Sequence, residues 1–344
     1  MTVPLIPNVT LNENEILGSG AYGTVYGGNL GTNRVALKTF NNILINPEQV
    51  IAAIQAEGEL WFALKHPNIA MLWGIALTSK GEPMLVVNRL EMNLLTRLHT
   101  GQVPTNQERT KWLLEIALAF QYLHSFNPPV LHRDLKPDNI LLDGHGKAVL
   151  TDFGLSRVQT LYHTYSNGRS RQGQFLYAPP ESYIRGYTTA PQYDVYSYGM
   201  VMYEVWTGQR PFAEHDLRYP QKVIDLVMRG ERPQRTSDIP DQVWNLIERC
   251  WAHDLKQRPT FEAIEKEIQT WKFDAPAPIP APIPAQTQAQ TSAQAAISQT
   301  QPPVSTPRNE ISVASLAASL FSAGPSLPSS SEHERLRGDF TTKK

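Results

Sequence analysis

Cysteine is nearly absent: Cys250 is the only one in 344 residues. A single thiol closes no internal disulfide and builds no thiolate metal site, so the composition fits a reducing compartment. Also missing is any run of about eighteen apolar residues, the length a membrane-crossing helix needs. Charge of either sign is not in excess, with 31 Lys and Arg against 32 Asp and Glu. No global field therefore draws nucleic acid or an anionic membrane, and neither is expected as a partner. The opening MTVPLIPNVT has no basic stretch and carries Pro4 and Pro7, which does not read as a secretory signal. These absences predict a soluble, cytoplasmic protein.

What is present divides near residue 273. Beyond it the chain runs DAPAPIPAPIPAQTQAQTSAQ, rich in Pro, Ala, Gln, Ser and Thr, with too little apolar surface to offset ordering entropy. Residues 273–344 are expected to be a disordered tail. Within it, Val313, Leu316, Ala317, Leu320 and Phe321 share one helical face of segment 309–321. That segment is expected to fold only on contact, with a partner or with the chain's own helical part; accident of composition is the competing account.

Before the tail, residues 11–92 read as strand-rich. AYGTVYGGNL and RVALKTF alternate apolar and polar residues around the turn GTN, and MLVVNRL reads as a further strand. Between them, PEQVIAAIQAEGELWFALK has helical spacing and ends before His66-Pro67-Asn68. From 108 onward helical patterns dominate, from ERTKWLLEIALAFQYLHS to FEAIEKEIQTW, and no internal repeat is visible. The order predicts an α+β, bilobal fold: a small β-rich lobe, a larger helical lobe and a cleft between them.

LGSGAYGTV at 17–25 places Gly18, Gly20 and Gly23 where backbone amides can approach phosphate closely. A dinucleotide fold would need these glycines to open a helix, whereas TVYGGNL reads as a second strand. A hairpin lid over nucleotide phosphates follows. Lys38 ends VALK on the next strand: either an edge lysine reaching for water, or one that pairs with phosphate and needs a carboxylate to hold it. Glu57 is the preferred partner, one turn before Trp61, and Glu59 is read as solvated.

HRDLKPDNILL occupies 132–142 and TDFGL 151–155. Asp134 is the candidate base for a hydroxyl, and Lys136 can steady a transferring phosphoryl group. Asn139 and Asp152 offer an amide oxygen and a carboxylate to Mg²⁺, which takes few protein oxygens. The competing reading is a polar turn between strands, with Asp138 and Asn139 as turn formers. It leaves the glycine loop and Lys38 unexplained.

With these motifs in this order, the chain resembles the eukaryotic protein kinase family over about residues 11–272, with an N-terminal extension at 1–10, an N-lobe at 11–92 and a C-lobe at 93–272. The similarity continues past the chemistry. GQFLYAPPE at 173–181 looks like the end of the activation segment, with Pro179-Pro180-Glu181 where the family usually has Ala-Pro-Glu. Asp194 in DVYSYG matches the residue that braces the catalytic loop, and Arg258 the ion partner of Glu181. Cys250-Trp251 and VYSYG resemble the tyrosine-kinase-like group.

The resemblance implies ATP and Mg²⁺ as cofactors, protein substrates, and a role in intracellular signalling. Lys38, Glu57, Asp134 and Lys136 become the catalytic set. The nucleotide would be held by the lid residues Leu17, Gly18, Ser19, Gly20, Ala21, Tyr22, Gly23, Thr24 and Val25, by Ala36, Lys38 and Leu141, and by the hinge Asn88-Arg89-Leu90, through Asn88 and Leu90, behind the gate residue Val87. His132, Phe153, Trp61 and Leu72 match a hydrophobic column that assembles in active enzymes. Arg133 marks members whose activation loop is ordered by phosphate, expected here at Thr164 or Ser166. Lys136 two residues after the base favours serine/threonine as acceptor. Gln174 stands where such enzymes usually carry threonine, so tyrosine or dual specificity stays open, as does a scaffold without catalysis. A small-molecule or lipid kinase is disfavoured by the helical lobe.

Overall fold

The alternating segments at the start of the chain form a five-stranded antiparallel sheet in a computed structural model that describes residues 2–20, 23–40, 47–152 and 173–273. Outside these residues lie the expected site positions Ala21 and Tyr22, Phe153, Thr164, Ser166 and the tail segment 309–321; the side chain of Glu57 is likewise not described. The strands are β1 (Val9–Gly20), β2 (Gly23–Leu30), β3 (Asn33–Lys38), β4 (Leu72–Leu77) and β5 (Pro83–Asn88), in spatial order β1-β2-β3-β5-β4. Gly31 turns the β2–β3 hairpin at φ 59°, a conformation that costs glycine little.

Side-chain alternation decides what each face of this sheet does. Val35 and Leu37 pack with Ala76, Met84 and Val86 on one face, covered by Ile6, Leu11 and Trp73. Ala36 belongs to the other face, with Leu72, Ile75, Leu85 and Val87, and that face joins the core of the helical lobe. Lys38 is two residues beyond Ala36 and pairs in register with Leu85, so it shares this inward side. Helix α1 (Pro47–Ala63) ends at the predicted place, and Trp61 near its end is 1% exposed and donates Nε1–H to Ala70 O at 2.6 Å.

The helical lobe contains α2 (Leu94–His99), α3 (Asn106–His124), α4 (Gln192–Thr207), α5 (Pro220–Met228), α6 (Asp241–Cys250) and α7 (Phe261–Ile268). Helix α3 begins before residue 108 because Thr105 caps it: Thr105 Oγ1 accepts from the Glu108 N–H, and Glu108 Oε2 accepts from the Thr105 N–H. Helix α4 is buried continuously from Tyr193 to Trp206, so it is the post around which the lobe packs, and Gly208 ends it at φ 67°. Phe120 of α3 stacks on Phe261 of α7 with ring centroids 4.7 Å apart. A second, small sheet of β6 (Met92–Asn93), β7 (Ile140–Leu142) and β8 (Ala148–Leu150) interrupts the helices. These strands place the polar loops of the site.

Candidate active site

β7 and β8 form a hairpin in which Ile140 pairs with Leu150. Asn139 enters the first strand and Asp152 leaves the second, so the register sets these distant residues side by side. The Thr151 N–H closes the pair by donating to Asn139 O at 3.0 Å. Asp134, Lys136 and Asn139 come from the loop before β7, and Lys38 from the end of β3.

Lys38 Nζ lies 2.6 Å from Asp152 Oδ1. Burial pushes the Asp152 carboxyl up, but the charge and hydrogen bond of Lys38, with the charge of Lys136, outweigh it and hold the group below the usual carboxylate range. Asp152 is therefore an anion at neutral pH. It also sits at φ 64°, a backbone position unusual for a residue with a side chain. The described partner of Lys38 is thus Asp152; the expected partner, Glu57, lies on α1 with its side chain outside the described set.

Asp134 Oδ2 accepts from Asn139 Nδ2 at 3.0 Å and lies 3.6 Å from Lys136 Nζ. Its other oxygen, Oδ1, is buried and has no hydrogen-bond partner among the described residues. Such an atom is costly to leave unpaired, and here it is free to accept from a hydroxyl donor. Asn139 Nδ2 also donates to Asp134 O at 2.7 Å, which commits the amide nitrogen and leaves the amide oxygen for a cation. Among the described residues no three His, Cys, Asp or Glu gather to hold a metal. One carboxylate and one amide oxygen nevertheless suit Mg²⁺, which keeps most of its shell for phosphate and water.

The loop is strained, and the fold holds it in place. Arg133 sits at φ 66°. Asp194, fully buried near the start of α4, accepts from the Arg133 N–H at 2.8 Å and the His132 N–H at 3.1 Å. His124, at the end of α3, adds an Nε2 contact to the same carboxylate at 3.0 Å. His132 bridges onward: its Nε2 faces Thr151 O at 2.9 Å and its Nδ1 accepts from the Asp134 N–H, which fixes the tautomer with hydrogen on Nε2. Lower in the lobe, Glu181 and Arg258 make a paired, buried ion contact at 2.6 and 2.9 Å.

The rest of the expected nucleotide surface is placed as follows. Gly18, Ser19 and Gly20 face Val25, Thr24 and Gly23 across the β1–β2 hairpin, and Leu17 precedes them on β1. At Gly23 an added Cβ would lie 1.8 Å from Thr39 O, so this position is held by close packing. Val25 packs against the same core as Ala36 and Val87. Leu141 is half-buried between the buried Ile140 and Leu142, which alternation turns to the opposite side. Asn88 spends its N–H and its side-chain oxygen on Met71, while the Leu90 N–H has no partner among the described residues. Gln174 Nε2 reaches Arg133 O at 3.4 Å, so it contacts the loop carrying Asp134 one residue away from that carboxylate.

The sequence reading passed over two positioning residues. His124 carries a polar group at the end of an otherwise apolar helical pattern, a weak signal. Asn68 reads in the sequence only as part of a helix stop; it is buried, and its Nδ2 donates to Ala148 O at 2.8 Å.

The comparisons agree with this geometry. The family model described as protein tyrosine and serine/threonine kinase matches residues 11–268. The chain belongs to the protein kinase family. It is 34% identical over 273 residues to a putative serine/threonine-protein kinase/receptor of Acanthamoeba polyphaga mimivirus, covering 77% of this chain and 16% of that protein. It is 30% identical over 268 residues to a dual specificity protein kinase of Dictyostelium discoideum, covering 77% and 50%. A probable serine/threonine-protein kinase of Arabidopsis thaliana is 33% identical over 267 residues, covering 75% and 25%. The chain thus spans half or less of the length of these curated relatives. A kinase domain implies ATP as phosphoryl donor and proteins as acceptors. Among the described residues no helix is long and apolar enough to cross a membrane.

Proposed function

We propose that this kinase domain transfers the γ-phosphoryl group of ATP to serine and threonine hydroxyls of proteins, within the tyrosine-kinase-like group. The observation that carries the reading is the convergence of Lys38, Asp134, Lys136, Asn139 and Asp152, with one Asp134 oxygen buried and unpartnered. Asn139 and Asp152 would hold Mg²⁺, which supplies neutralising charge to phosphate oxygens. Lys38 binds phosphate oxygens from the β3 side, with Glu57 fixing it. Val25, Ala36 and Leu141 enclose the base, and the Leu90 N–H and the Asn88 backbone hold its edge. Asp134 Oδ1 accepts the hydrogen bond of the substrate hydroxyl and receives its proton as the P–O bond forms, while Lys136 balances charge on the group in transit. A phosphate at Thr164 or Ser166 would pair with Arg133.

Gln174 supports a second reading, dual specificity. Its bond to Arg133 O leaves the Asp134 carboxylate without the threonine contact typical of strict serine/threonine enzymes. One experiment tests both. Purified protein with labelled ATP is applied to an array of Ser, Thr and Tyr peptides, beside Asp134→Asn. Transfer to Ser and Thr that disappears in Asp134→Asn is expected. Equal transfer by the variant refutes the assignment, and strong Tyr labelling establishes the second reading.

A further inference from the structure

Residues before β1 are engaged with the sheet and with α1. Val3 is 2% exposed and packs into the main core. The chain then runs along β4, the outer strand of the sheet. The Ile75 N–H donates to Pro4 O at 2.9 Å, and the Ile6 N–H donates to Ile75 O at 2.7 Å. An otherwise open sheet edge is thereby covered. Gly74 makes this approach possible: a Cβ there would lie 2.4 Å from Pro4 O and 2.8 Å from the Ile6 side chain.

The same segment reaches α1. The Val3 N–H donates to Gln55 Oε1 at 3.2 Å, and Gln55 Nε2 donates to Val3 O at 3.0 Å. A glutamine amide thus pairs with both polar groups of one backbone residue, as a neighbouring strand would. Trp61 anchors the C-terminal end of α1. Gln55 is six residues earlier, roughly 9 Å along the axis, and two residues before Glu57. With Trp61 alone the helix keeps freedom to pivot about that end, and a pivot carries the turn with Glu57, about 6 Å from Trp61, along with it.

We infer that Val3–Ile6 is a strap fixing α1 to β4, and that Gln55 is a positioning residue for phosphoryl transfer. The inference rests on the kinase reading above, in which Glu57 holds Lys38. The strap acts on turnover rather than on peptide binding, because it touches none of the residues that would meet the acceptor. It also makes the amino-terminal segment a point of control: anything that lifts Val3 from Gln55 loosens α1.

The test uses the full chain. Gln55→Met keeps volume and helix preference and removes both hydrogen bonds. Gly74→Ala displaces the strap from the opposite side, without touching α1. Gln55→Glu keeps the acceptor and loses the donor. Each is read by kcat and peptide KM and by hydrogen exchange of amides 51–60. Gln55→Met and Gly74→Ala are each expected to lower kcat about tenfold, the size of two net hydrogen bonds. Peptide KM stays at its wild-type value, exchange in 51–60 speeds up, exchange in α4 does not change, and Gln55→Glu falls between. Unchanged kcat and exchange overturns the strap. Faster exchange with unchanged kcat overturns the positioning role. A wild-type chain that transfers no phosphate refutes the kinase reading itself, and the positioning role with it; exchange in 51–60 still reports separately on the strap.

Discussion

Arg258→Met isolates the energy of the buried ion pair between Arg258 and Glu181. The Arg258 side chain is 0% exposed and Glu181 8%, and the guanidinium meets both carboxylate oxygens. It also donates to Ala252 O at 2.9 Å and Gln192 O at 3.0 Å, and lies 5.0 Å from the Tyr196 ring centroid. Methionine fills the stem's volume and supplies no donor. A carboxylate left buried without its cation costs about 3–5 kcal/mol. A loss of this size lowers the melting temperature of a domain this large by roughly 10 °C. Removing the charge as well, in Glu181→Leu with Arg258→Met, should restore about half of the loss. The double variant remains about 2 kcal/mol below wild type, because two carbonyls have lost donors worth about 1 kcal/mol each. Urea unfolding followed by tryptophan fluorescence measures all four corners of the cycle. A coupling between the two sites below about 0.5 kcal/mol would refute the argument that the pair is held by mutual neutralisation in a dry setting.

Lys38→Met should reduce phosphoryl transfer at least about a hundredfold, since a methionine follows the lysine stem while losing its charge; near-wild-type turnover in a continuous ADP assay rejects the assignment. Asp152→Asn should raise the Mg²⁺ concentration needed for half-maximal rate, because an amide binds a hard cation less well than a carboxylate; an unchanged Mg²⁺ titration removes Asp152 from the ligand set. Burial lifts the Glu204 carboxyl from its ordinary 4.5 to about 7, against the opposing hydrogen bond from Tyr177 and the charge of Arg210. The folded form binds this proton more tightly than the unfolded chain does, so the contribution is fully present below pH 4.5 and is lost as pH rises to about 7, by about 3 kcal/mol in all. Glu204→Gln should flatten that limb of the stability–pH curve, and an unaltered limb contradicts the assignment.

Much of the site is legible in the sequence because its parts are local. Ala36 and Lys38 share a face by strand alternation, and Asp134, Lys136 and Asn139 fall within one loop, so spacing alone brings them together. The fold class was legible for a similar reason: strand patterns precede helical ones along the chain. The small sheet was not, since β6 has 2 residues and β7 and β8 have 3 each, too few for any period to register. The start of α3 was misplaced although its cap, TNQE, is written in the chain; the apolar period begins later than the hydrogen bonds do. Contacts that depend on side-chain direction were least legible. Lys38 meets Asp152 across 114 positions and Val3 meets Gln55 across 52. Gln174 is the clearest case. Its place in the motif predicts an approach to Asp134, but the amide is longer than the threonine it replaces and donates to the carbonyl of Arg133 instead. Arg133 is also the residue whose strained backbone Asp194 holds from the other side. Glutamine at this position therefore changes which atom of the loop is tethered, the Arg133 carbonyl in place of the Asp134 carboxylate.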